Sequence, residues 1–159
     1  MIPLPNHSPI FAYQQPEENN GYLLWQVSMR WQLRMNQQLS EVGITLTQFS
    51  LLAGLYWLTL QGELVTQQRL ATYANTDKMM TSKVLQTLEK KGLVERLDNP
   101  QDGRARQLRL TETAEGLLRQ ANKIVEQVDK AFFASIQADT LVFQQLMAQL
   151  ARLGPMDPA

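Results

Sequence analysis

Residues 65–111, VTQQRLATYANTDKMMTSKVLQTLEKKGLVERLDNPQDGRARQLRLT, contain the most informative pattern in the chain. Thr66 is a candidate N-cap for a short helix, QQRLATYA, and Asn75 tolerates the left-handed conformation that a tight turn between helices needs. Thr76 is then the predicted cap of a second helix, with Asp77 in its first turn, where a carboxylate suits the helix dipole. Two short helices joined in this way form a helix-turn-helix.

The second helix has two unlike faces when its residues are placed at about 100° intervals. One face is predicted to meet the core; it carries Thr81, Val84, Leu85 and Leu88. The other face is basic and hydrogen-bonding, a mixture that suits base edges and phosphates in a major groove. Its predicted DNA-binding residues are Met79, Ser82, Lys83 and Gln86, with Lys90 further along and Lys78 at its edge. An ordinary amphipathic helix with a solvated Lys/Gln face is the alternative.

A hairpin follows this helix. Residues 93–98, LVERLD, alternate as an edge strand does, and NPQDG contains the proline and glycine of a reversing turn. The return strand, ARQLRL, places Leu108 and Leu110 on one face. Two helices followed by a hairpin predict a winged helix, so residues 45–111 are assigned as a winged helix-turn-helix DNA-binding domain.

The flanking segments predict the rest of the fold. Residues 1–18 are interpreted as a flexible arm, and residues 19–44 as a long helix that Gly43 ends. Thr45 or Thr47 then caps a helix that is apolar nearly all round and expected to be buried. Residues 112–153 predict two more helices, the first capped by Thr111 and the last by Asp139.

These flanking helices carry more apolar surface than a small winged helix can cover. Burial between two copies of the chain would cover it, so residues 19–44 and 112–153 are predicted to be dimerisation helices of a homodimer. The expected fold class is mainly α with a small β-hairpin wing.

The charge is neutral overall, with 15 basic and 15 acidic residues, but it is unevenly distributed. Residues 66–111 contain nine Lys and Arg against five Asp and Glu, a balance of +4, which leaves −4 for the remainder. A basic segment in a neutral chain is typical of a nucleic-acid surface, although a solvated charged face would give the same count.

Composition also bears on the function classes. The absence of cysteine excludes disulfides, cysteine-zinc sites and thiol redox sensing, and the single histidine, His7, lies in the arm. With no phosphate-binding glycine loop and no metal-ligand spacing, an enzyme, a cofactor and a metal are not expected. No apolar run approaches about 18 residues and no secretory signal is evident, so a cytoplasmic location without a membrane partner is expected.

The run LEKKGLVERLDNPQDGRARQLRLTETAEGLL, with its D-x-R at Asp102 and Arg104 and its closing Leu110-Thr111, resembles the MarR family of bacterial transcriptional regulators. The resemblance implies a triangular homodimer that binds a near-palindromic operator in double-stranded DNA. In that family pattern Ser82 and Lys83 match groove-facing positions of the recognition helix. Arg104 matches the wing arginine that enters the minor groove. Asp102 matches the acid that pairs with a neighbouring arginine and stabilises the wing.

The two other wing arginines are distinguished by strand parity. Arg106 has the parity of Asp102 and Arg104, so one of these two arginines could pair with the carboxylate while the other stays free for DNA. Arg104 is the expected groove contact and Arg106 the expected partner of Asp102. Arg109 points to the opposite face, where it is solvated or faces a phosphate.

The resemblance also implies release of DNA by a small aromatic ligand. Candidate ligand-binding residues are Trp25, Trp31, Tyr56 and Trp57, in a region that also contains Tyr22. Plain core or dimer interface is the more frequent role for such aromatic sets. Arg30 and Arg34 could meet a ligand carboxylate or pair with Glu41.

The function predicted from all of this is a homodimeric, sequence-specific DNA-binding repressor with an aromatic effector. The alternative is a winged-helix protein-interaction module that does not read DNA. The operator, the regulated genes, the choice between repression and activation, and the effector are not determined by the sequence.

Overall fold

Six helices and one hairpin make up the part of the chain that the computed structural model describes, residues 10–98 and 106–152. The helices are α1 (Asn20–Leu39), α2 (Leu46–Leu60), α3 (Gln67–Tyr73), α4 (Lys78–Lys90), α5 (Glu112–Phe132) and α6 (Thr140–Ala151). Strands β1 (Val94–Asp98) and β2 (Arg106–Leu110) pair antiparallel, and 3-10 turns occupy Pro16–Glu18, Ser40–Val42 and Ala134–Asp139. The predicted fold class is confirmed.

Polar side chains begin the first helices where the sequence predicts them. Asn19 accepts a hydrogen bond of 2.8 Å from the Tyr22 amide, and Gly43, at φ 74°, ends the turn after α1. Thr45, not Thr47, caps α2 in a capping box. The Thr45 hydroxyl accepts from the Gln48 amide, and the Thr45 amide donates to the Gln48 side-chain oxygen. Local chemistry therefore fixes where α2 begins.

The central helix α2 supplies most of the core. Leu51, Leu52, Leu55 and Leu58 are fully buried against α4, α5 and the hairpin. A methyl group on Gly54 would lie 3.1 Å from the Tyr73 ring, so the glycine allows α3 to approach closely. The prediction that α2 is buried is confirmed for most of its apolar side chains, whereas Trp57 and Leu60 are exposed.

The hairpin is joined to the helices at its base. The Leu108 amide donates to the Val65 carbonyl over 2.7 Å, which ties β2 to the residues before α3. Thr111 donates its hydroxyl to the Gly92 carbonyl, at 2.8 Å, and accepts from the Ala114 amide as the cap of α5. The Leu-Thr pair of the motif thus closes the hairpin and starts the next helix.

Helix α6 does not begin with the cap that its sequence predicts. Asp139 does not cap it: its φ of −107° and ψ of 8° are not extended, and its side chain makes no cap hydrogen bond. The 3-10 turn before α6 already curls the chain at Asp139, whereas a capping side chain needs an extended backbone to reach back to the helix amides. Thr140 donates its hydroxyl to the Ile136 carbonyl instead.

No single helix of the described ranges is long and apolar enough to cross a membrane. Helices α1 and α2 reach the required length and hydropathy only as a pair, and that pair is bent by 78°.

Candidate nucleic-acid interface

Helix α4 separates its core face from its outward face as its sequence predicts. Thr81, Leu85 and Leu88 are buried, whereas Val84 is half-buried. The predicted DNA-binding residues of α4 lie on the open side: Lys78, Met79, Lys83 and Gln86 are exposed and Ser82 is half-buried. The structure therefore brings these five side chains to one surface.

The turn before α4 is held by a network around a buried hydroxyl. Asn75 has a φ of 49°, which confirms the predicted left-handed turn residue. Asp77 caps α4 by accepting from the amides of Met79 and Met80 at 2.8 and 3.0 Å, so the prediction of Thr76 as the cap is wrong. Thr76 hydrogen-bonds the buried Thr81 hydroxyl at 2.8 Å instead, and Thr81 donates to the Asp77 carbonyl. This network fixes the entry angle of α4.

Each arginine of residues 66–111 that the structure describes is paired with a carboxylate. The shortest nitrogen-oxygen distances are Arg69–Glu63 2.7 Å, Arg96–Glu89 2.9 Å, Arg106–Asp98 3.5 Å and Arg109–Glu95 2.6 Å. The Arg69 guanidinium, which donates two hydrogen bonds to Glu63, lowers the pKa of that carboxyl, and the same pair raises the pKa of Arg69. Each of these guanidinium groups therefore has a carboxylate beside it, which weakens the positive potential that it presents.

The lysines of α4 behave differently. Across residues 10–98 and 106–152, no carboxylate lies within ion-pair distance of Lys78, Lys83 or Lys90. Lys91, just beyond the helix, donates to the Gly43 carbonyl over 2.7 Å and so connects the end of α4 to the turn after α1. The unneutralised positive charge of the described segment is therefore concentrated on α4.

A recess between α4 and the hairpin brings two predicted residues together. Lys78 and Arg106 line a space of about 280 Å³ together with Thr66, Gln67 and Gln68 at the start of α3. Two cations beside hydroxyl and amide donors suit a phosphate group. The sequence does not predict Thr66, Gln67 and Gln68 as part of the site, although it does predict that α3 begins at its cap, Thr66.

The wing tip lies outside the described residues, and with it the predicted Asp102 and Arg104. On the described strands, Arg106 stands opposite Asp98 and Arg109 opposite Glu95 in the hairpin register. Arg96, which the sequence did not single out, is half-buried and also donates to Gln67 at 3.2 Å. It links β1 to both helices of the helix-turn-helix, and only tertiary packing reveals that role.

The four aromatic candidates do not form one site. Tyr56 and Trp57 line a cavity of about 190 Å³ between α2 and α5, with Arg119 and Asn122 on its polar side. Trp31 donates its indole N–H to Asp129 over 2.8 Å, which joins α1 to α5. Trp25 lies on the surface of α1 with 59% of its area exposed, and neither of these two lines that cavity.

Apolar side chains remain exposed on the terminal helices. Those of α1 are Leu23, Leu24, Trp25, Val27, Met29 and Leu33, and those of α6 are Leu141, Val142, Leu146, Met147 and Leu150. So many exposed apolar side chains on two helices are typical of a protein interface. The described residues contain no group of three or more Asp, Glu or His arranged to hold a metal ion.

A helix-turn-helix, a hairpin wing and an unpaired lysine face define a winged-helix DNA-binding protein. The sequence model of the MarR family matches residues 44–105. An uncharacterised HTH-type transcriptional regulator of Bacillus subtilis, YdcH, is 43% identical over 123 residues, which cover 77% of this chain and 84% of the relative. This chain belongs to the MarR family of transcriptional regulators.

Solved structures of other proteins are similar to this fold. CouR, a transcriptional repressor bound to a 23-mer DNA duplex, superposes with a TM-score of 0.75 at 26% identity, covering 86% of this chain and 94% of that one. CouR from Rhodococcus jostii RHA1 bound to p-coumaroyl-CoA gives a TM-score of 0.75 at 25% identity, covering 92% and 100%. DNA-bound and ligand-bound relatives therefore share this fold.

Proposed function

We propose that this chain is a homodimeric repressor that binds a near-palindromic operator and releases it when a small aromatic ligand binds. The observation that carries the proposal is the outward face of α4. There Lys78 and Lys83 are exposed without a carboxylate partner among the described residues, beside Ser82 and Gln86. Such a face can neutralise phosphates and hydrogen-bond base edges at once.

The wing supplies the second contact. Arg104 is assigned to the minor groove on its place in the D-x-R motif, because a narrow groove with a deep negative potential favours arginine. Asp102 is assigned to hold the wing by pairing with a neighbouring arginine. Arg106 is assigned to exchange its exposed pair with Asp98 for a phosphate at the recess that it shares with Lys78.

The dimer is supported by the uncovered apolar faces of α1 and α6. A chain that leaves leucines, valines and a tryptophan exposed on both terminal helices gains stability when a second copy covers them. A twofold axis places two α4 helices on one side of the molecule, and a palindromic operator matches that symmetry.

The effector site is assigned to the cavity beside Tyr56 and Trp57. Its aromatic walls suit a planar ring, and the Arg119 guanidinium can donate to a ligand carboxylate in place of Glu115, from which it is 3.7 Å away. Helix α2 packs against both α5 and α4, so a ligand wedged beside α2 can alter the setting of α4. The relative CouR has one structure bound to DNA and another bound to p-coumaroyl-CoA, which supports the proposal that one chain binds both an operator and an aromatic ligand.

Footprinting with the full-length chain on DNA that flanks its own gene tests DNA reading. We expect a protected, near-palindromic segment, with log K falling by about 0.9 per phosphate contact for each tenfold rise in salt. Absence of any protection at moderate salt would favour a protein-interaction module without DNA reading.

Light scattering tests the dimer. We expect Leu146→Glu combined with Leu150→Glu on α6 to give monomers, while Leu64→Glu, an exposed leucine of the winged-helix module, leaves the dimer intact. A wild-type monomer would refute the proposal.

Thermal-shift titration with a panel of small aromatic acids tests the effector. A ligand should raise the melting temperature and release DNA, and Arg119→Ala should remove both effects. Lys123→Ala, an exposed cation one turn further along α5, is the control that should keep both. No response across the panel would leave the aromatic residues a structural role only.

A further inference from the structure

We propose that Met79 reads the C5-methyl group of a thymine in the major groove, so that each operator half-site contains a thymine on which binding depends. The inference rests on the DNA-binding function proposed above and adds a base preference to it.

Met79 occupies the centre of the outward face of α4. It is 71% exposed, the largest exposed fraction of any large apolar side chain in that helix. At about 100° per residue it points away from the buried Thr81, Leu85 and Leu88, and Lys83 and Gln86 lie within about 40° of it. The side chain therefore has no core to enter and stands among the residues that face DNA.

The chemistry of a thioether selects one kind of base edge. Its sulfur is a weak acceptor and it has no donor, so it cannot donate to the guanine oxygen and nitrogen acceptors and accepts only weakly from the amino groups of adenine and cytosine. Desolvating those groups without a partner is costly, whereas the thymine methyl group is apolar and gains from burial. Apolar contact with that methyl is the way in which such a side chain discriminates in the major groove.

The start of the helix directs Met79 towards bases and away from phosphates. Asp77, the N-cap, already accepts from the amides of Met79 and Met80, so a carboxylate occupies the start of the helix. A negative charge there repels a phosphate, and the phosphate contacts fall to Lys78 and Lys83 at either side. Residues in the first turn of a recognition helix are also those that contact base edges.

Thymine-to-uracil interference tests the inference. Duplexes are selected from a random library with the full-length chain, and each thymine is then replaced by uracil, which removes only the methyl group. We expect at least one uracil position in each half-site to weaken wild-type binding by about three- to sixfold. Met79→Ala should bind the thymine and uracil duplexes equally, and Met79→Leu should restore the preference.

Met80→Ala is the matched control, because Met80 is the adjacent exposed methionine but points about 100° away. It should keep the thymine preference even if its overall affinity changes. The inference is overturned if uracil has no effect on the wild type, or if the preference survives in Met79→Ala. Either result would leave the proposed sequence-specific DNA binding intact. If the selection enriched no duplex at all, the DNA-binding proposal itself would be refuted.

Discussion

Helix α4 and the hairpin each contribute three cations to the described structure, but those of α4 have no acidic partner there, whereas those of the hairpin are ion-paired. Lys78, Lys83 and Lys90 of α4 have no carboxylate partner among residues 10–98 and 106–152. The three arginines of the described strands are all ion-paired: Arg96 with Glu89, Arg106 with Asp98 and Arg109 with Glu95.

The difference comes from geometry. Cross-strand register places an acid directly opposite Arg106 and Arg109. On a helix the neighbours are three and four residues away, and for Lys83 the residues four positions away are Met79 and Thr87. Counting Lys and Arg against Asp and Glu gives +1 for the two strands and +2 for α4, but this count does not show that, among the described residues, the strand arginines are paired while the α4 lysines are not.

The largest effect is expected for Lys83→Ala. Removing an unpaired cation from the outward face of α4, beside Met79, should lower operator affinity about tenfold and reduce the salt slope by about one contact. Gel-shift titrations at several salt concentrations measure both quantities. An unchanged slope would show that Lys83 does not contact DNA, and the melting temperature should stay at the wild-type value.

Arg104→Ala comes next. If the wing tip enters the minor groove, affinity should fall about fivefold without a lower melting temperature. The same titration on the protected segment measures it. Wild-type affinity would remove the wing tip from the mechanism and leave α4 alone in it.

Arg96→Leu should act on stability and not on direct contact. It breaks the half-buried bonds to Glu89 and Gln67, so we expect the free energy of unfolding to fall by about 1 kcal/mol. Denaturant unfolding measures the change. If stability is unaffected while the salt slope falls, Arg96 belongs with the DNA-contacting lysines and the contrast with α4 is wrong.

Arg109→Ala should change little. Its pair with Glu95 is well exposed, and such pairs contribute about 0.2–1 kcal/mol, so operator affinity should change less than about twofold. A loss as large as that of Lys83→Ala would mean that Arg109 leaves Glu95 for a phosphate.

The smallest effect concerns the Arg69–Glu63 pair and pH. Because the pKa of Glu63 in the folded chain lies below its ordinary value of 4.5, the pair stabilises the fold above that pH and loses its effect as pH falls through the lowered pKa. Glu63→Gln should therefore melt slightly below wild type at neutral pH, and calorimetry should find the two converging in acid. A difference that persists in acid would assign the effect to packing.

Much of the fold follows from local signals in the sequence. Thr66, Asn75, Gly43 and Thr111 act where predicted, because caps and left-handed turns depend on the side chain and its immediate neighbours. The failures are also local in origin. Asp77 displaces Thr76 as the cap of α4, and a 3-10 turn takes Asp139 out of the extended conformation that a cap requires.

The candidate site was predictable in part. The outward face of α4 followed from helical periodicity, since one buried face defines its opposite. The separation of Trp25 and Trp31 from Tyr56 and Trp57 did not, because it depends on how α1 and α2 pack onto α5.

By itself, the sequence determined the order of the helices, the hairpin, most of their ends and the side of α4 that faces outward, because each depends on contacts within a few residues. Only the tertiary structure decided which cations are paired, that Arg96 braces the hairpin, and that Tyr56 and Trp57 share a cavity with Arg119. Those features join residues far apart in the chain, and packing alone sets the distances between them.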